Sequence, residues 1–203
     1  MNRDAAHGIA EAARWRLLGL LLERPRAGWR DEIDALAREV GAPELRAAAE
    51  AARAATEGAY LRLLGPGGAV SPREVAYRGL QDPGWGMSDV MRFYEAFAYR
   101  PRAEDPPDHV AVEVGFVGYL HLKEGLARAS GDDRAAETTR AAREEFLARH
   151  LAPVAGAFAR RLAAGGSYLA TVAALLAACV PPSAEQPAAA DPDLGGCGSC
   201  PES

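Results

Sequence analysis

Cysteine is scarce: three stand in 203 residues, Cys179, Cys197 and Cys200. That is too few for a disulfide framework. Lysine is scarcer, since Lys123 is the only one and the remaining basic residues are arginine. Acidic residues exceed basic ones by 28 to 23, for a net charge of −5. Such a chain lacks the basic excess that favours nucleic acid or an anionic membrane surface, and it is better placed to meet a basic partner. Long apolar runs are also missing. The cluster at residues 17–22 is short and flanked by Arg14, Arg16, Glu23 and Arg24, so nothing is long enough to span a bilayer. Residues 1–4 open no signal peptide. A cytoplasmic protein without stable membrane insertion is expected. The motifs of catalysis are absent too: no Gly-x-x-x-x-Gly-Lys-Ser/Thr, no His-Glu-x-x-His, no nucleophile elbow around Ser71 or Ser167, and no triad pattern among the four histidines. The chain is expected to bind rather than to catalyse.

What is present reads as helix. Hydrophobic residues make up 49% and charged residues 25%, the balance of an ordinary globular domain. Ile9, Ala13, Leu17, Leu20 and Leu21 form one helical stripe, ended by Pro25. Trp29, Ile33, Leu36 and Val40 form another. A third helix is expected to run unbroken from Pro43 through Tyr60 and Leu63 to the stop at Gly65-Pro66-Gly67-Gly68. Ser71-Pro72-Arg73-Glu74 resembles a capping box. Asp82-Pro83-Gly84 is expected as a turn and Ser88 as the cap of the next helix. Residues 110–122 alternate like a strand yet also fit a helix, and no partner strand exists to take a lone strand's hydrogen bonds. A buried helix is expected there, continuing to about residue 130. Asp132 or Asp133 then caps a helix reaching Phe146, Pro153 marks a break or a new start, and residues 168–179 form the last helix. The fold expected is all-α, a single globular multi-helix domain over residues 1–182. A flexible Pro/Gly-rich tail over 183–203 follows it.

Two places carry candidate chemistry. One is Glu104-Asp105-Pro106-Pro107-Asp108-His109, followed by Glu113. Asp108 is placed to cap the helix, and His109 and Glu113 share a helical face. The local excess of carboxylate suits a guanidinium, which pairs with carboxylates in bidentate fashion. The plain reading is a capped helix start with a solvated acidic loop. A metal site built from His109, Glu113 and His121 lacks a matching pair on a second helix. The other place is Cys197-Gly198-Ser199-Cys200, half of a tetrahedral metal site or an unstructured tail. Cys179 reads as core.

The run from Glu104 to Glu113 resembles the signature of the TorD/DmsD/NarJ-like redox-enzyme maturation chaperones, roughly Glu-Pro-x-Asp-His followed by an apolar helix containing Glu. Tyr60-Leu61-Arg62-Leu63-Leu64-Gly65-Pro66 with Ser71-Pro72-Arg73-Glu74, then His150-Leu151, Phe158 and Tyr168, resemble other parts of that family in order. The resemblance implies an all-helical chaperone without a cofactor of its own, working on molybdenum-containing oxidoreductases. It would hold the catalytic subunit, or its twin-arginine signal peptide, until the cofactor is inserted, and be a monomer or homodimer. By the same resemblance Asp108 and His109 belong to a client-binding surface, with Tyr60, Leu63 and Leu64 as its apolar wall. Asp105 and Glu113 are then expected to meet client arginines, and Phe116 to line the groove. The chain departs from the family at Leu64, where an aromatic is common, at Tyr77-Arg78-Gly79-Leu80, and in its Cys-x-x-Cys tail. That tail leaves a second reading: an accessory protein delivering metal or an iron–sulfur cluster through Cys197 and Cys200.

Overall fold

The first two apolar stripes fold as α1 (Arg3–Leu22) and α2 (Trp29–Glu39) in the computed structural model of the chain, which describes residues 3–79, 83–101 and 105–182. The expected third helix divides into α3 (Pro43–Ala52) and α4 (Glu57–Leu64). Thr56 is the reason. It is extended, and its hydroxyl accepts the Ala59 N–H at 3.2 Å, so a fresh helix begins with its own cap. A 3-10 turn, Glu74–Tyr77, leads to α5 (Pro83–Ala96). Pro83 opens that helix instead of a turn, because the first helical position needs no N–H donor. Ser88 is therefore not a cap. It lies inside α5, and its hydroxyl donates to the Gly84 carbonyl at 2.8 Å.

The ambiguous apolar segment is helical, as α6 (Val110–Ser130). Val110, Ala111, Val112, Val114, Phe116 and Val117 are all buried, and a helix apolar on every side has to be enclosed. It is: α1 packs along one side and α7 (Asp133–Phe146) along another. Asp132 caps α7 as expected, accepting the Ala135 N–H at 2.9 Å. A π-helical turn, Leu147–Leu151, joins α7 directly to α8 (Ala152–Ala163), and α9 (Tyr168–Cys179) folds back on α8. Pro153 sits in the first turn of α8, the new start expected of it. It has no N–H for the carbonyl of Arg149 four residues earlier, and the guanidinium of Arg78 donates to that oxygen instead.

The α1–α6 seam is a backbone contact. A Cβ on Gly118 would lie 3.1 Å from the Arg16 nitrogen and 3.3 Å from the Ala12 carbonyl, and one on Gly8 would lie 3.0 Å from the Cα of Gly125. Glycine is needed at these positions for want of space. Behind the seam an aromatic hub centres on Phe116, with ring centroids 4.8 Å from Tyr94, 4.8 Å from Phe146 and 5.1 Å from Tyr99. Among the described residues there is no strand, only a single antiparallel bridge between Arg73 and His109. No described helix is long and apolar enough to cross a membrane. Glu104 and the tail with Cys197 and Cys200 lie outside the described residues.

Candidate functional site

The bridge between Arg73 and His109 brings together two segments that the sequence marked separately. The Val110 N–H donates to the Pro72 carbonyl at 2.8 Å, and the Glu74 N–H to the Asp108 carbonyl at 2.9 Å. Arg73 places Nε and Nη2 on the same oxygen of Asp108, at 2.8 and 2.7 Å. Tyr94 closes the joint from below, its hydroxyl donating to Pro107 at 2.9 Å.

His109, not Asp108, is the N-cap of α6. Its Nδ1 accepts the Ala111 N–H at 3.1 Å. The neutral ring therefore carries its proton on Nε2, which faces the Tyr60 hydroxyl at 3.4 Å. Tyr60 donates onward to the carbonyl of Leu22 at 3.1 Å. Burial pushes His109 below the usual histidine value, against the pull of Asp105 and Asp108, which suits a ring that must keep one nitrogen free to accept. This chain ties the start of α6 to the end of α1. Trp29, the first residue of α2, holds the same end of α1, its Nε1 donating to the Leu20 carbonyl at 2.8 Å.

Deeper in, charge is concentrated. Nδ1 of His150 faces both oxygens of Glu74 at 3.1 Å, and its Nε2 lies 3.3 Å from Asp89. Arg78 also engages Glu74, and Arg149 holds Asp89 at 2.6 Å. Glu113 projects from α6 into this cluster, fully buried, and neither of its oxygens accepts a hydrogen bond. Burial first, then the charge of Glu74, pushes Glu113 well above the carboxylate range. Burial works to raise Glu74, but the hydrogen bond and charge of His150 first, then the neighbouring Glu113 carboxyl and the charge of Arg78, hold it low. With Glu113 neutral, the carboxylates of Glu74, Asp89 and Asp108 are matched by Arg78, Arg149 and Arg73.

Beside the junction a cleft of about 540 Å³ opens between α1, α6 and residues 98–101. Gly115 and Gly118 form its floor, and Tyr99, Tyr119 and Leu122 its apolar wall. Arg16 and Glu23 line it at 2.6 Å from each other. Burial pushes the Tyr99 hydroxyl up to about 12. Ala98 stands at the rim with φ 54, the left-handed C′ position after α5 that glycine ordinarily fills. Ala98→Gly is expected to stabilise the fold by about 0.5–1 kcal/mol, the relieved strain less the entropy added to the unfolded chain. Paired chemical denaturation curves measure it, and a loss of stability would remove the strain argument.

The structure thus joins Tyr60, Asp108 and His109, sets half-buried Asp105 beside them, and buries Leu64, with Leu63 half-buried against the core. Phe116, expected in a groove wall, is fully buried behind Tyr99 and Tyr119, which do face the cleft. His109, Glu113 and His121 do not converge: His121 stacks on Trp15, and burial with Arg143 pushes it down to about 4. Among the described residues no group of three His, Cys, Asp or Glu side chains is placed to hold a metal ion. Glu23 and Arg16 entered the sequence reading only as charges bounding an apolar run. Their spacing of seven, two helical turns, was the available signal.

The family described as nitrate reductase delta subunit matches residues 24–160. The selenate reductase assembly chaperone protein of Thauera selenatis is 38% identical over 100 residues, 46% of this chain and 51% of that protein. The chlorate reductase assembly chaperone protein of Ideonella dechloratans is 35% identical over 118 residues, 55% of this chain and 60% of that protein. The chain spans about half the length of the curated relatives it matches. A solved structure described as a redox enzyme maturation protein from Archaeoglobus fulgidus shares the fold, with a TM-score of 0.55 at 16% identity over 83% of this chain and 92% of that one.

Proposed function

The chain belongs to the nitrate reductase delta subunit family, and from that premise we propose that it is a cytoplasmic assembly chaperone for the catalytic subunit of a molybdenum-containing reductase. It binds the N-terminal, twin-arginine signal region of that subunit and holds the subunit until its cofactor is inserted. The observation that carries this reading is the cleft beside the junction: an aromatic and aliphatic wall with one carboxylate, Glu23, and with Arg16 and Arg100 also lining it. An extended segment with a basic head and an apolar body fits both parts. Apolar area removed from water contributes at about 25 cal/mol per Å².

In this reading Asp108, His109 and Tyr60 act from behind the surface. They hold the start of α6 and the end of α1 at a fixed separation, and so shape the cleft between them. Asp105, half-buried beside them, adds negative potential at the mouth.

Co-expression with reductase catalytic subunits, intact and lacking the N-terminal segment, tests this. The intact subunit is expected to co-purify in a complex that weakens as salt rises, and the truncated one is not. Equal capture of both would remove the N-terminal assignment, and capture of neither would remove the chaperone reading.

A further inference from the structure

The carboxylate in the cleft already holds guanidinium. Oε1 of Glu23 accepts from Arg16 at 2.6 Å, and Oε2 lies 3.6 Å from Arg26. The Glu23 side chain is only 13% exposed, whereas those of Arg16 and Arg26 are 36% and 45% exposed. The acid is set into the wall and the bases approach it from the solvent side. Both arginines have a second partner waiting. Arg26 is bidentate on Glu32 at 2.7 and 3.0 Å, and Nη2 of Arg16 lies 3.7 Å from the same carboxylate.

We infer that Glu23 is the residue that recognises an arginine of the client segment, and that Arg16 occupies its place in the free protein. This rests on the proposal that the chain binds a client's N-terminal segment. On binding, the client guanidinium takes Oε1 of Glu23 and Arg16 swings onto Glu32. Binding adds one charge-assisted hydrogen bond at a carboxylate only 13% exposed while Arg16 keeps a partner, so the apolar wall supplies most of the binding and Glu23 supplies the choice between sequences. The place is also electrostatically prepared. Glu23 directly follows the last turn of α1, where the helix dipole is negative, and Tyr60 and Trp29 fix that turn by its carbonyls. A guanidinium is more weakly hydrated than an ammonium, which favours it at a carboxylate set this far into the wall.

The inference makes the two partners of one ion pair act in opposite directions. The probe is a fluorescein-labelled synthetic peptide with two adjacent arginines followed by an apolar run, beside the same peptide with glutamines in place of the arginines. Wild type is expected to prefer the arginine peptide by about tenfold, the size of one charge-assisted hydrogen bond. Glu23→Gln is expected to bind both peptides equally. Arg16→Gln is expected to bind the arginine peptide about threefold more tightly, the size of an exposed pair, and the glutamine peptide unchanged. Thermal melts confirm that both variants fold. If Glu23→Gln keeps the wild-type preference, or Arg16→Gln binds the arginine peptide more weakly, the inference is overturned while the chaperone reading stands. If neither peptide binds wild type although the intact reductase subunit co-purifies with it, the inference again falls alone. If the subunit does not co-purify either, both fall.

Discussion

Glu113→Gln is expected to make the folded chain more stable than wild type at pH 8, by a margin that grows with pH. Glu113 is buried next to Glu74 and keeps its proton in the folded state, pushed up by burial and by the charge of Glu74. In the unfolded chain the same carboxyl ionises near about 4.3. Between these two values the folded state binds one more proton than the unfolded state, so stability falls as pH rises, by about 1.4 kcal/mol per pH unit until the folded group itself ionises. Glutamine has the same shape, keeps a donor toward Glu74 and does not titrate. Urea denaturation of both proteins at pH 5, 6.5 and 8 is the measurement. His109 and His121, both held below the ordinary histidine value, act in the opposite sense at the acid side of this range. They do so in both proteins and cancel from the difference. Parallel stability curves for the two would show that Glu113 carries no such burden.

Phe116→Ala is expected to cost about 3–5 kcal/mol, the range for deleting a buried aromatic ring. For a chain of this size that lowers the melting temperature by roughly 10 °C. The ring is fully buried, and Tyr94, Tyr99 and Phe146 all lean on it. The substitution also has a readout at the cleft. Tyr99 and Tyr119 line the cleft in front of Phe116, so binding of the arginine peptide should weaken even well below the melting temperature. Phe116→Leu fills much of the space and should recover most of the stability. A loss under about 1 kcal/mol for the alanine variant, far below the usual cost of a core cavity, would mean the hub repacks freely.

Local signals in the sequence were read correctly where a residue acts on its own neighbours. Asp132 caps α7, Pro43 opens α3, and residues 110–130 are helical, with no strand among the described residues for them to pair with. The misreadings share one cause. Thr56, Ser88 and Asp108 are all chemically fit to cap a helix, and sequence alone does not say which of them is used. Thr56 caps because the chain turns there, Ser88 is already inside a helix, and Asp108 is taken by Arg73. Pro153 does mark a new start, that of α8, and what the sequence does not show is that Arg78, far away in the chain, supplies the donor its ring lacks. The candidate site residues divide in the same way. Asp108, His109 and Tyr60 stood out and do lie together, yet their contacts are internal. Their meeting with Glu74, and of Glu74 with Glu113, depends on how the loops fold back, which no spacing records. The cleft itself needed the helices to be placed first.

The glycine seam has a consequence for synthesis. Gly8 touches Gly125, so α1 finds its main partner only after the long stretch between them has been made. At typical elongation rates that is a wait on the order of ten seconds. During it, the leucine-rich stripe of α1 stands without its partner. Contacts this distant in sequence also slow the closing step. Its yield in the cell should therefore depend on chaperones that greet nascent chains more strongly than its final stability would suggest.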